Sequence, residues 1–284
     1  MMSIPSLTAL RLFATLLLLS VAGCQTATPP PRTPITVQLS FTHQAQFAGF
    51  YAAEQEGYYA REGLAVTLAE GGPSVSQTNV LLRGSAQFAV LPADQVLLAR
   101  AGGKPIVAIS AIFRRSPRVY IALANSGIRR PEDFAGKTIA VGKGGRPQLV
   151  AILHRVGIND DQYTMVDPDP DLGQLTSGTV DVRAVWITNE VLALRRQGYE
   201  LNVIYPDDYG IHGYADVIAT TDETIARDPG LVLRFLRATL EGWTYTVEHP
   251  GEVDDLVLQY NPNAEAGFEA EQFAASVASA NYIE

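Results

Sequence analysis

The sequence predicts an α/β protein of two lobes, each a mostly parallel sheet flanked by helices, with a ligand cleft between them. Three observations carry this prediction. Short strand-like segments alternate with helical ones over brief connections, the signature of βαβ units. That run ends near residues 115–120, where a second run of the same units begins. Near residues 213–218 the chain returns to the first run, and the remainder is helical.

Taken in order, residues 35–41 (ITVQLSF) alternate apolar and polar like a strand, and residues 47–62 read as a helix stopped at Gly63. Residues 64–68 form a second strand, and Gly71, Gly72 and Pro73 mark a turn. Ser74 has the chemistry of an N-cap for a helix reaching Arg83 and ended by Gly84. A strand at 87–91, a helix at 92–101 and a strand at 105–112 complete the first run. The second run has strands at 119–123, 137–141 and 163–166, with a helix at 148–156 between the last two. A strand at 181–186, a helix to Gln197 and a strand at 201–204 follow. Residues 215–218 bring the chain back, and residues 231–247 are its most regular amphipathic stretch. Lobe one is thus assigned residues 35–117 plus 217–284, and lobe two residues 118–216. Open α/β sheets bind ligands beyond the carboxyl ends of their strands, so two facing lobes make a cleft.

The first 24 residues carry one charge, Arg11, followed by an apolar run at 12–21. That run has the length of a signal-peptide core and is too short to span a bilayer. It ends in VAGC (21–24), which resembles the cleavage box of bacterial lipoproteins, and Cys24 is the single cysteine of the chain. Residues 1–23 are therefore expected to be a signal peptide and Cys24 to carry lipid, anchoring the protein to the extracytoplasmic face of the cell membrane. The proline-rich residues 24–34 suit a tether. The helical pattern is unfinished at Glu284, which leaves room for a further C-terminal segment.

Composition excludes several functions. With 21 Lys and Arg against 30 Asp and Glu, no basic surface is expected, and nucleic acid is not a partner. With Cys24 taken by lipid, no thiol remains for a disulfide, a cysteine zinc site or a nucleophile. His43, His154, His212 and His249 lack metal-helix spacing, so no metal is expected. GKGGRP (142–147) lacks the Gly-Lys-Ser/Thr ending of a P-loop, which sets aside nucleotide hydrolysis.

A series of motifs runs in order along the chain: QAQFAGFYAAEQEGYY (44–59), EGLAV (62–66), LRGSAQF (82–88), ARAGGKP (99–105), GIRRPEDFAGK (127–137), WITNE (186–190) and FLRATLEGW (235–243). Together they resemble the two-lobed substrate-binding proteins of ABC importers in the thiamine-pyrimidine-synthase-like family. The resemblance implies the type II periplasmic-binding-protein fold, no catalytic residues, and delivery of a small-molecule vitamin or precursor to an ABC-transporter permease. QAQFAGFY (44–51) and DYGIHGYAD (208–216) are most similar to riboflavin-binding members, while residues 41–44 lack the tryptophan and Pro-Asn step of pyrimidine-binding ones. Riboflavin or a related flavin is then the expected cargo, as transported ligand and not cofactor. A thiamine pyrimidine precursor is the alternative, and a pyrimidine-synthesis enzyme on the same fold is the distant one. Importers of sulfonates share the scaffold but would need converging cations.

A cleft for a flat heterocycle needs aromatic faces and a few convergent polar groups. Phe41, Phe47, Tyr51, Trp186, Tyr209 and Tyr214 are the stacking candidates. Trp186 leads because it ends a strand and is followed by Thr188, Asn189 and Glu190; the alternative is that it fills the core of lobe two. For Phe47 and Tyr51, spaced i, i+4 on the first helix, core packing is the favoured reading and ligand stacking the alternative. Gln44 and Gln46 match an imide or aminopyrimidine edge. Asn189, Glu190 and Asp216 are further polar contacts, the two acids serving either a ring N–H or a cap. Asp94 either joins them or is a first-turn acid of its helix. Lys143, Gly144 and Gly145 open a helix, where they either bind a polar tail or form a tight turn.

Overall fold

Alternation fixes the first strand, Thr33–Gln38 (β1): Ile35 and Val37 are buried while Thr36 is partly exposed. The computed structural model describes residues 31–72, 74–113, 115–265 and 267–280, so Cys24 and the signal segment lie outside the described residues. After β1 come Ala48–Gln55 (α1), Tyr58–Arg61 (α2), Leu64–Ala69 (β2), Gln77–Leu82 (α3), Phe88–Leu91 (β3), Ala93–Ala101 (α4) and Ile106–Ala111 (β4). Arg118–Leu123 (β5), Thr138–Ala140 (β6), Arg146–Arg155 (α5), Thr164–Val166 (β7), Gly173–Thr176 (α6), Val182–Trp186 (β8), Glu190–Arg196 (α7) and Leu201–Ile204 (β9) follow. Val217–Thr221 (β10), Asp222–Arg227 (α8), Pro229–Glu248 (α9), Val253–Tyr260 (α10) and Phe268–Ala280 (α11) complete the chain.

Two five-stranded sheets result, ordered β2-β1-β3-β10-β4 and β7-β6-β8-β5-β9. In each, the fourth strand is antiparallel to both neighbours and the remaining pairings are parallel. Four strands of every sheet therefore share one direction, and the odd strand adjoins a crossing between sheets. β5 is the first strand after the outward crossing, and β10 the first after the return. Arg115, on the outward crossing, pairs with Asp207 at 3.1 Å and Asp208 at 2.8 Å on the return and lies over the Tyr205 ring.

The first sheet is backed by α1 and α9, which pack backbone to backbone. A Cβ on Gly242 would lie 2.1 Å from the Gly49 carbonyl oxygen, and one on Gly49 would lie 2.3 Å from the Trp243 indole. Neither obstacle is a flexible side-chain end, so the helices must separate to admit a methyl group. Gly242→Ala is expected to destabilise the protein by about 3 kcal/mol through overpacking, read as a lowered thermal midpoint; an unchanged midpoint would contradict this packing. Phe88 stacks on Phe235 at 3.9 Å, and Phe235 on Tyr59 at 5.8 Å, in the same core. The second sheet has its own core, in which Tyr120 meets Phe134 edge to face.

The helix expected over 47–62 is broken. A short 3-10 turn, Ala45–Phe47, precedes α1, and Gly57 at φ 71° separates α1 from α2. The left-handed conformation at Gly57 suits a residue without a Cβ. The expected cap at Ser74 is also displaced. Val75 N–H closes a turn on the Gly72 carbonyl at 3.0 Å, so the helix starts later and Ser76 Oγ accepts the Asn79 N–H at 3.3 Å. The strand expected to reach Phe41 ends at Gln38. There the Gln38 side-chain amide turns onto the Ala69 and Glu70 carbonyls, at 3.1 and 2.7 Å, and the chain leaves as a loop.

Candidate functional site

That loop forms one wall of a cavity of about 340 Å³ at the carboxyl ends of the strands. From the first sheet it receives Ser40, Phe41, Gln44 and Gln46 after β1, Gly72, Val75 and Gln77 after β2, and Pro92 and Gln95 after β3. From the second it receives Trp186, Thr188, Asn189 and Glu190 at the end of β8. Asp216, just before β10, and Gln272 of α11 close it. Two further cavities adjoin. One of about 560 Å³ shares Pro92 and runs past Asp94, Arg118 and Tyr214. Another of about 540 Å³ shares Trp186 and Glu190 and is lined by Arg118 and the loop 142–145.

The polar groups are held by one another. Gln77 Nε2 reaches the Leu39 and Ser40 carbonyls at 3.3 and 3.2 Å, fixing the loop that carries Phe41. Gln44 Nε2 donates to Gln46 Oε1 at 2.5 Å. Gln46 Nε2 donates in turn to the Ser40 hydroxyl at 3.2 Å and to Asp216 Oδ2. Asp216 is 1% exposed, and its Oδ1 has no hydrogen-bond partner among the described residues. Burial pushes its carboxyl up to about 6, against the opposing pull of the Gln46 amide, the Arg118 charge and the Ser40 hydroxyl. A buried carboxylate oxygen left open in a polar cavity is an acceptor awaiting a donor.

On the facing wall, Glu190 Oε2 accepts the Trp186 N–H at 2.9 Å and so ties the 186–190 turn to the start of α7. Burial raises its carboxyl above the usual range; the Trp186 and Glu190 amides and the Arg183 charge oppose this. The Trp186 indole meets Phe113 edge to face at 5.9 Å. Its ring is thereby braced across the two sheets while still lining two cavities. Among the described residues, none that lines the 340 Å³ cavity is Lys or Arg.

The family model described as NMT1/THI5 like matches residues 44–253, which hold most of these walls. The chain belongs to the NMT1/THI5-like family. Among curated proteins it is 31% identical to the riboflavin-binding protein RibY of Chloroflexus aurantiacus, covering 87% of this chain and 73% of that protein. It is 28% identical to a formylaminopyrimidine-binding protein of Halalkalibacterium halodurans, covering 86% of this chain and 76% of the relative. Among solved structures it is similar to the periplasmic aliphatic sulphonate binding protein SsuA of Escherichia coli. That likeness has a TM-score of 0.70 at 15% identity and covers 87% of this chain and 83% of SsuA, so it concerns the fold, the expected periplasmic-binding-protein type.

In this NMT1/THI5-like chain the structure brings together Phe41, Gln44, Gln46, Trp186, Asn189, Glu190 and Asp216 around the 340 Å³ cavity. Asp94 and Tyr214 line the 560 Å³ cavity, and Lys143, Gly144 and Gly145 the 540 Å³ one. Asp94 also accepts the Gln95 N–H at 2.9 Å, in the first turn of α4. Phe47 and Tyr51 are not at the site: both are fully buried in the first core, where Tyr51 stacks on Tyr260 at 4.4 Å and its hydroxyl meets His43 Nδ1 at 3.0 Å. Tyr209 packs against the second core. Gln77, Gln95 and Gln272 escaped the sequence reading, because an isolated glutamine leaves no periodic trace. Among the described residues no group of three or more His, Cys, Asp or Glu is arranged to hold a metal, and no helix is long and apolar enough to cross a membrane.

Proposed function

We propose that this protein is the extracytoplasmic binding component of an ABC importer, lipid-anchored through Cys24, which captures riboflavin or a related flavin and passes it unaltered to a membrane permease. The observation that carries this reading is the make-up of the 340 Å³ cavity. It has aromatic faces from both sheets, Phe41 and Trp186, a set of side-chain amides, and an open carboxylate acceptor, Asp216. Ring faces are held by stacking, at about 0.5–1.5 kcal/mol per aromatic partner beyond area burial, and the amides serve an imide edge. The adjoining cavity beside Arg118 and Lys143–Gly145 offers room and donors for a hydroxyl-rich tail. The binding of riboflavin by RibY supports the same choice.

A ligand touching both walls favours the closed form by the contacts that only closure completes. The two lobes, residues 35–117 with 217–284 and residues 118–216, turn about the two crossings that Arg115 links. A sulfonate is disfavoured, since among the described residues the cavity lining holds Glu190 and Asp216 but no Lys or Arg. A formylaminopyrimidine-type precursor is the second reading, favoured by Asp216, which accepts an exocyclic amine as readily as an imide N–H. Relatives named as 4-amino-5-hydroxymethyl-2-methylpyrimidine phosphate synthase exist, at 24% identity for the protein of Legionella pneumophila. Against catalysis here, Cys24 is the only cysteine and His43 is engaged with Tyr51. Calorimetric titration with riboflavin, formylaminopyrimidine and an alkanesulfonate tests the proposal. Riboflavin is expected to bind most tightly and to be recovered unchanged; turnover, or preference for the sulfonate, would overturn it.

A further inference from the structure

The C-terminal helix α11 lies beyond the 44–253 region matched by the family model, yet it supplies a wall of the ligand cavity. Three contacts fix it there. Glu269, 6% exposed, accepts the Ala45 N–H at 2.6 Å; Phe273 is fully buried in the first core; and Arg196 of α7 pairs with Glu265 and Glu271, at 2.9 and 2.7 Å. Between Glu269 and Phe273 stands Gln272. It is 3% exposed, lines the cavity, and its amide oxygen has no hydrogen-bond partner among the described residues.

A buried polar atom without a partner is costly, and native proteins satisfy nearly all of them with protein, water or ligand. Here two such atoms, on Gln272 and Asp216, line the same cavity. Their chemistry differs in a useful way. An ionised carboxylate only accepts, whereas a carboxamide offers an acceptor or, turned by half a rotation, a donor. A ligand edge that meets both must carry a donor for Asp216 and a second polar atom of either kind for Gln272. An imide, with N–H flanked by carbonyls, has that edge, and so does an amino group beside a ring nitrogen. An imide methylated on nitrogen does not.

We propose that Gln272 is a ligand-contacting specificity residue, which together with Asp216 selects heterocycles bearing a free N–H beside a second polar edge atom. This rests on the flavin-type binding reading of the cavity given above.

Riboflavin and its N3-methyl derivative, titrated by flavin fluorescence into the purified protein and into Gln272→Met, test it. Gln272→Met should bind riboflavin about tenfold more weakly. Its ligand-free melting midpoint should stay level or rise, because an apolar side chain of similar shape removes an unsatisfied group. The N3-methyl compound should bind the parent weakly and distinguish it little from the variant. Riboflavin affinity unchanged in Gln272→Met, or lost only together with a lowered ligand-free midpoint, would assign Gln272 to structure and overturn the proposal. Should Gln272→Met fail to fold, Gln272→Leu, apolar and of similar volume, is read the same way. A parent that binds neither riboflavin nor formylaminopyrimidine defeats the binding reading itself; a parent that binds beside indifferent variants defeats only the role of Gln272.

Discussion

Trp186→Ala is expected to weaken riboflavin binding by roughly 30- to 150-fold, the equivalent of ~2–3 kcal/mol, the size of an aromatic anchor at the centre of a desolvated contact. The effect is large because the indole lines two of the three cavities and is braced against Phe113, so its ordering cost is met before ligand arrives. Fold stability should suffer less than affinity, since the side chain is only partly buried. The protein has two tryptophans, and the other, Trp243, is buried in the core between α1 and α9. Ligand-induced quenching of intrinsic fluorescence should therefore disappear in Trp186→Ala while the Trp243 emission stays. Riboflavin affinity equal to that of the parent would move Trp186 from the site to the packing.

The second large effect concerns Asp216 and is read through pH. Its carboxyl is raised from 3.8 to about 6 by burial, so the folded protein holds that proton more tightly than the unfolded chain does. The stabilising contribution of the protonated form is complete below about pH 4 and is lost as pH rises through 6. At pH 7 the buried charge costs about 3 kcal/mol, at roughly 1.4 kcal/mol per unit. Asp216→Asn should accordingly raise the melting midpoint of the ligand-free protein at pH 7.5, and the two proteins should converge as pH falls toward 4. Binding runs the opposite way. A ligand N–H is held more strongly by the ionised acceptor, so the affinity of the parent should be level above pH 7 and fall by up to about tenfold by pH 5. Asp216→Asn should bind at least tenfold more weakly at pH 7.5, having lost a charge-assisted hydrogen bond, and its affinity should vary less with pH than that of the parent. Titrations at pH 7.5, 6.0 and 5.0 decide the matter; a variant that keeps the slope of the parent would place the titrating group elsewhere.

Much of the fold was legible because the strands are short apolar runs whose ends coincide with Gly, Pro and polar clusters. The repeat of that pattern after residue 118 announced the second sheet. Gly57 was read through because apolar residues resume at Tyr58 and Tyr59 with helical spacing, and sequence periodicity alone does not register one residue at positive φ. Two serines stand two positions apart before α3, either of them able to cap; the turn closed by Val75 on Gly72, a backbone event, selected Ser76.

At the site, Trp186 and Glu190 were legible because a strand end followed by polar residues is where open sheets present side chains to ligands. Phe47 and Tyr51 carry the same aromatic chemistry but sit on the buried face of the first helical turns, and composition does not separate a stacking ring from a packed one. Gln272 was invisible for a different reason. It reaches the cavity only because Glu269 anchors α11 to Ala45, a contact between distant parts of the chain.

The central claim is that the space between the two sheets clamps a flat, N–H-bearing heterocycle. A crystal structure of the protein grown with riboflavin tests it most directly. The account predicts the ring system in the 340 Å³ cavity against Trp186, with its imide N–H on Asp216 Oδ1 and its tail toward Arg118. Riboflavin bound away from Asp216 and Trp186, or a cavity that stays free of ligand at saturating concentration, would contradict it.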